Sequence, residues 1–120
     1  MREVCFYRTT SGDIPVEEFL DSLSGKQAQK VIWVLRLVEQ LDPVPSQYFK
    51  KLVASDGLWE ARAQHGGDTF RVLGFFDGHK FWAVSGFAKK TEKIPRQEIE
   101  VAEARRRDFL TRRKDDERPS

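Results

Sequence analysis

The sequence predicts an α+β fold, helices against one sheet, on three observations. Apolar residues recur at helical spacing through 16–23 and again through 28–38. Three strand-like stretches then follow one another between 58 and 87, parted by a Gly-Gly loop and an Asp-Gly turn. Pro95 opens a last helix with its own apolar line. The 120 residues are the length of one domain, assigned here to 1–111, with a charged, disordered tail over 112–120.

Glu3 to Arg8, with Val4 and Phe6, reads as a first strand, and Thr9 to Asp13 as a turn. Asp13 is placed to cap a helix that has Pro15 in its first turn and Glu17 and Glu18 at the positive end of its dipole. Val16, Phe19, Leu20 and Leu23 form its apolar stripe. Ser24 and Gln27 have the spacing of a capping box for a second helix, lined by Ala28, Val31, Ile32, Leu35 and Val38. Trp33, Val34 and Leu37 cannot share that face, so the helix is either packed on two sides or carries a surface strip for a partner. Asp42-Pro43-Val44-Pro45 stops it, and residues 46–57 read as a loop.

Leu58–Gln64, Thr69–Phe76 and Lys80–Phe87 read as a meander, and Ile99, Ala102, Phe109 and Leu110 line the final helix. The expected order is an N-terminal strand, a two-helix hairpin, a three-stranded antiparallel meander and a C-terminal helix.

Composition excludes several classes. At 39% apolar and 33% charged the chain is too apolar for disorder, and no apolar run approaches a membrane span. No signal-peptide block opens it. Cys5 stands alone and His65 and His79 are too few for a zinc cluster, so neither a disulfide nor a structural metal is expected. The chain reads as a soluble cytoplasmic domain. Its net charge of +2 is spread without a strongly basic segment, so any nucleic-acid binding must come from a local site.

The turns suggest such a site. With residues 65–68 as the first loop, Gln64 pairs with Thr69, Arg62 with Arg71 and Glu60 with Leu73. With Asp77-Gly78 as a two-residue turn, Phe76 pairs with His79 and Arg71 with Val84. Alternation then puts Trp59, Ala61, Ala63, Phe70, Val72, Phe76, Phe81, Ala83 and Phe87 on a core face, and the arginines on the other with Lys90. Like charges directly opposite cost about 0.2–1 kcal/mol. A bound phosphate relieves the conflict, because guanidinium forks grip its oxygens. The alternative is that Glu60, or a carboxylate of the last helix, neutralises the pair.

The motifs Leu58-Trp59-Glu60-Ala61-Arg62, Phe70-Arg71-Val72-Leu73, Gly86-Phe87-Ala88-Lys89-Lys90-Thr91-Glu92-Lys93, Pro95 and Glu98-Ile99-Glu100-Val101-Ala102 occur in order over roughly residues 3–105. Together they resemble the phage-derived Gp49-like branch of the RelE/ParE toxin superfamily, which includes HigB toxins. The resemblance implies a RelE-like fold and the toxin of a type II toxin–antitoxin pair. It implies an endoribonuclease that cuts messenger RNA, usually on the ribosome, and is neutralised by a small antitoxin, often a helix-turn-helix protein. The positions matching the basic active site are Arg62, Arg71, Lys89 and Lys90. RelE carries a tyrosine near this cluster where the chain reads Ile94-Pro95-Arg96, and Ile94 replaces a common threonine.

Cleavage of this kind needs neither metal nor nucleotide, so no cofactor is implied: the 2′-OH attacks the adjacent phosphate while fixed cations stabilise the developing charge. Arg62 and Arg71 suit that task, and Lys90, crowded by cations, suits proton transfer. Lys89 is a candidate backbone contact. His65 is a further candidate for proton transfer, or a solvated loop residue. Lys50 and Lys51 are candidate RNA contacts, and Trp82 either stacks a base or covers the sheet under the last helix. The same superfamily offers a second reading, a non-enzymatic inhibitor of DNA gyrase like the ParE toxins.

Overall fold

The computed structural model describes residues 2–89 and 93–116. Its elements are β1 (Glu3–Phe6), α1 (Pro15–Asp21), α2 (Gly25–Gln40), β2 (Phe49–Lys51), β3 (Trp59–His65), β4 (Asp68–Asp77), β5 (Lys80–Lys89) and α3 (Arg96–Asp116). The fold is mixed α+β, but its sheet is broader than the three-stranded meander expected: five strands in the order β1-β5-β4-β3-β2. β1 runs parallel to β5, and every other neighbouring pair is antiparallel. β2 arises in the stretch read as a loop. Three residues are too few to show alternation, yet Phe49 is buried opposite Ala61 while Lys50 and Lys51 stay exposed.

The sheet has a core on each side. On one, Ala61, Ala63, Phe70, Val72, Phe81 and Ala83 meet Val16 of α1 and Val31, Val34, Leu35 and Val38 of α2. On the other, Leu58, Leu73, Phe75, Val84 and Phe87 lie with Tyr7, Leu52 and Ala102 of α3. The inner stripe of α2 differs from expectation at one step: Val34 is buried and Ile32 is 37% exposed. Within an unbroken apolar run, spacing alone does not fix the phase. The Ser24–Gln27 capping box forms, with both reciprocal bonds in place. Asp13 does not cap α1. Ile14 holds that position, and Asp13 closes the preceding turn through its backbone N–H to Thr9 Oγ1.

The register between β3 and β4 is the expected one, with Gln64↔Thr69, Arg62↔Arg71 and Glu60↔Leu73. That between β4 and β5 is not. The turn residues are Gly78 and His79, closed by Asp77↔Lys80, so Phe76 pairs with Phe81 rather than His79. A bulge at Leu73/Gly74 then leaves Val84 as an extra residue, and Arg71 faces Phe87 rather than Val84. The bulge also flips the parity of the strand beyond it, which sends Phe87 to the α3 side instead of the core face expected. Gly74 permits this close approach: a Cβ there would collide with the Trp82 carbonyl oxygen and the Phe81 ring. Gly78 supplies the positive φ of 62° that the turn needs.

α3 continues to Asp116, through positions 112–116 where the sequence suggested the beginning of a charged tail. Its last turns are tied down. Arg112 pairs with Asp108 at 2.6 Å and donates to the Arg8 carbonyl, Arg113 pairs with Asp77, and the Tyr7 hydroxyl donates to Asp108 at 2.5 Å. Among the described residues, no helix is long and apolar enough to cross a membrane.

Candidate functional site

The site grows from the pleat of β3 and β4. Glu60 and Arg62 lie two apart on β3 and so share a face, and Arg71 is the direct cross-strand neighbour of Arg62. Both guanidinium Nε atoms approach one carboxylate oxygen, Glu60 Oε1, at 3.2 Å from Arg62 and 3.4 Å from Arg71. The side chains differ in access. Arg71 is 1% exposed and Glu60 3%, whereas Arg62 keeps 14% of its surface open. The like-charge conflict is therefore relieved inside the fold, by Glu60. Two buried opposite charges hydrogen-bonded to each other are tolerable, while either one without its partner is costly.

This arrangement gives the two arginines different capacities. Arg71, sealed beneath the surface, holds Glu60. Arg62, whose Nε also lies on Glu60, is the less buried of the two and keeps part of its side chain within reach of a ligand. On β2, Lys50 pairs with Glu60 and so lies on the same face, exposed; Lys51 pairs with Trp59 and belongs to the other. At the end of β5, Lys89 pairs through its backbone with Thr69, one pleat beyond the Phe87↔Arg71 pair. Lys90 lies outside the described residues.

His65 ends β3 opposite Asp68, across a turn of Gly66 and Gly67. Its odd position places it on the side of Ala61 and Ala63, away from Arg62, and it is exposed. Trp82 packs against Phe109 of α3 with ring centroids 4.6 Å apart, and its indole N–H is buried without a partner among the described residues. It is part of the covering of the sheet. Cys5 of β1 offers no ready nucleophile, because burial, and then the Glu3 carboxylate, push its thiol above the usual range.

Away from the arginines, a hollow of about 520 Å³ lies between the start of α1, β5 and α3, where Arg105 donates to the Val84 carbonyl and to Ser85 Oγ. Another, about 480 Å³, sits at the end of α3. The smaller groove of about 270 Å³ reaches Arg62 itself and is lined by Lys30, Gln47, Tyr48 and Gln64 besides. Sequence reasoning passed over Lys30 and Tyr48. Their only signal was the surplus apolar residue beside them, Trp33, which did not fit the buried stripe of α2.

The model of the phage-derived Gp49-like protein family matches residues 18–107. The chain belongs to that family. The matched span runs from within α1 into α3 and includes the whole of β2 to β5, with Glu60, Arg62, Arg71, Lys89 and Lys90. No curated protein matches the chain. Membership in this toxin-like, phage-derived family is consistent with a place in a toxin–antitoxin pair.

Proposed function

We propose that this Gp49-like protein is the toxin of a type II toxin–antitoxin pair and that it cleaves messenger RNA, most readily when the ribosome presents it. The observation that carries the reading is the cross-strand pair Arg62 and Arg71 tied to one buried carboxylate, Glu60, with Arg62 the more accessible of the two and exposed Lys50 on the same face of the sheet. A guanidinium fixed before substrate arrives needs little reorganisation to stabilise charge developing on a phosphate. Arg62 contacts the scissile phosphate. Glu60 and Arg71 are positioning residues that set its direction. Lys89, which ends β5, and Lys90, next to it in sequence, supply further positive charge, and Lys90 exchanges the proton with the reacting oxygens. Nucleophile and leaving group both belong to the RNA: the 2′-oxygen forms a bond to phosphorus as the bond to the 5′-oxygen breaks. An antitoxin, in this reading a helix-turn-helix protein, restrains the activity.

One observation favours a second reading. Because Glu60 already neutralises much of the arginine pair, the cluster does not require a bound anion, and a non-enzymatic inhibitor of DNA gyrase on the same scaffold would keep it as a structural tie.

Inducible expression with mapping of transcript 5′ ends separates the two. The nuclease reading expects trimmed messages and growth arrest with the native chain, and neither with Arg62→Ala, while circular dichroism of that variant is unchanged. Intact transcripts together with loss of gyrase supercoiling would replace it by the second reading.

A further inference from the structure

We propose that the groove between α2 and the β2–β3 edge is a subsite for single-stranded RNA, taking a nucleotide neighbouring the one at Arg62, with its base on Trp33 and its phosphate between Lys30 and Arg62. The proposal rests on the RNA reading above and extends it to a surface that neither the motifs nor the family match assigns.

The outer face of α2 carries Lys26, Lys30, Trp33 and Arg36, spaced three or four residues apart. At 1.5 Å per residue this basic stripe is about 15 Å long. The one carboxylate of α2, Glu39, is turned to β1, where it accepts the Val4 N–H at 3.0 Å. Among the described residues, the groove at the foot of the stripe adds Gln47, Tyr48, Gln64 and Arg62, the last paired with Glu60. On the outer face of α2 no carboxylate of the helix interrupts the positive charge, which suits a phosphate backbone.

Trp33 supplies the second element. A large apolar ring normally goes inside, yet this one is 42% exposed. It is held in place, with the Tyr48 ring meeting it edge-on at 5.3 Å and the Lys30 ammonium over it at 4.2 Å. A rigid, accessible indole beside a cation is suited to stack a base, and stacking tolerates any base because each has a π-face. On binding, the Lys30 ammonium exchanges the ring for the phosphate. The groove is continuous with Arg62, so a strand whose scissile phosphate lies on Arg62 passes onto α2 without a break. That continuity favours RNA over an acidic amphipathic protein segment, the other occupant a basic aromatic strip can take.

The test is equilibrium binding of a fluorescein-labelled, single-stranded RNA decamer to the full chain at low salt, alongside transcript trimming in cells, for Trp33→Ala and Lys30→Glu. Loss of one stacked base should weaken binding roughly tenfold. Lys30→Glu should also flatten the dependence of affinity on salt. Trp33→Phe should recover much of the binding if stacking is the cause. The inference is overturned if the native chain does not bind the decamer, or if both variants bind and trim like the native chain. It is also overturned if they retain RNA binding but no longer bind the antitoxin, which would assign the strip to the protein partner. Decamer binding that weakens in the variants, with no trimming by the native chain, would uphold the subsite and refute only the nuclease reading.

Discussion

On the side of α1 and α2 the sheet buries alanine, valine and phenylalanine alone; on the side of α3 it buries Glu60, Arg71 and Ser85 among its leucines and phenylalanines. The same strands build both surfaces, residue by alternate residue. The apolar face is held by dispersion and exclusion of water, which tolerate small shifts. The charged face depends on a few groups that must stay paired. The first is suited to stability, the second to holding a charged side chain in one direction, and the proposed site lies on the second.

The largest expected effect is at that charged centre. Glu60→Ala leaves Arg71 buried without its carboxylate and should cost about 3–5 kcal/mol in urea unfolding. Glu60→Leu combined with Arg71→Met should recover most of that loss yet leave the chain inactive, because Arg62 is no longer directed. If the double variant arrests growth, positioning by Glu60 is not required. On the apolar face, Val72→Ala should cost about 2 kcal/mol, with activity kept in proportion to the folded fraction. A specific loss of activity there would mean that the two faces are coupled.

Arg62→Ala is the converse case. Its side chain is the less buried of the two arginines and Arg71 keeps the Glu60 carboxylate, so Arg62→Ala should cost less in urea unfolding than Glu60→Ala, while transcript trimming is lost.

The smallest effect concerns pH. Burial, and then the bond to Asp108, push the Tyr7 hydroxyl above the usual phenol range. Its contribution to stability is complete below about pH 10 and is lost as pH rises through the elevated value. Alkaline unfolding should therefore steepen for the native chain and less for Tyr7→Phe. Identical alkaline curves would show that Tyr7 does not link the α3 face to pH.

The two faces also differed in how far the sequence disclosed them. The loop from His65 to Asp68 was short enough to set the β3–β4 register, and with it the meeting of Arg62 and Arg71. Beyond Leu73 the register was hidden, because a bulge adds one residue without a marker other than Gly74, and glycine has many uses. Phe87 was misplaced for that reason. β2 escaped notice because its cue is tertiary, Phe49 inserting beside Trp59 and Phe81. Alternation placed both arginines on one face but said nothing about what lies above each. The burial of Arg71, and the resulting division of roles, therefore had to come from packing. Glu60 was legible as a possible neutraliser because it sits two residues from Arg62; that one oxygen serves both arginines was not.

The parallel strand β1 has a bearing on how the molecule comes into being. Glu3 must find Lys80, and until β5 exists those four residues have no partner in the sheet. Translation delivers them before their partner, so assembly runs against the order of synthesis. A chain interrupted ahead of β5 would lack both this edge and the lysine doublet, and would leave β4 without one of its two neighbours in the sheet.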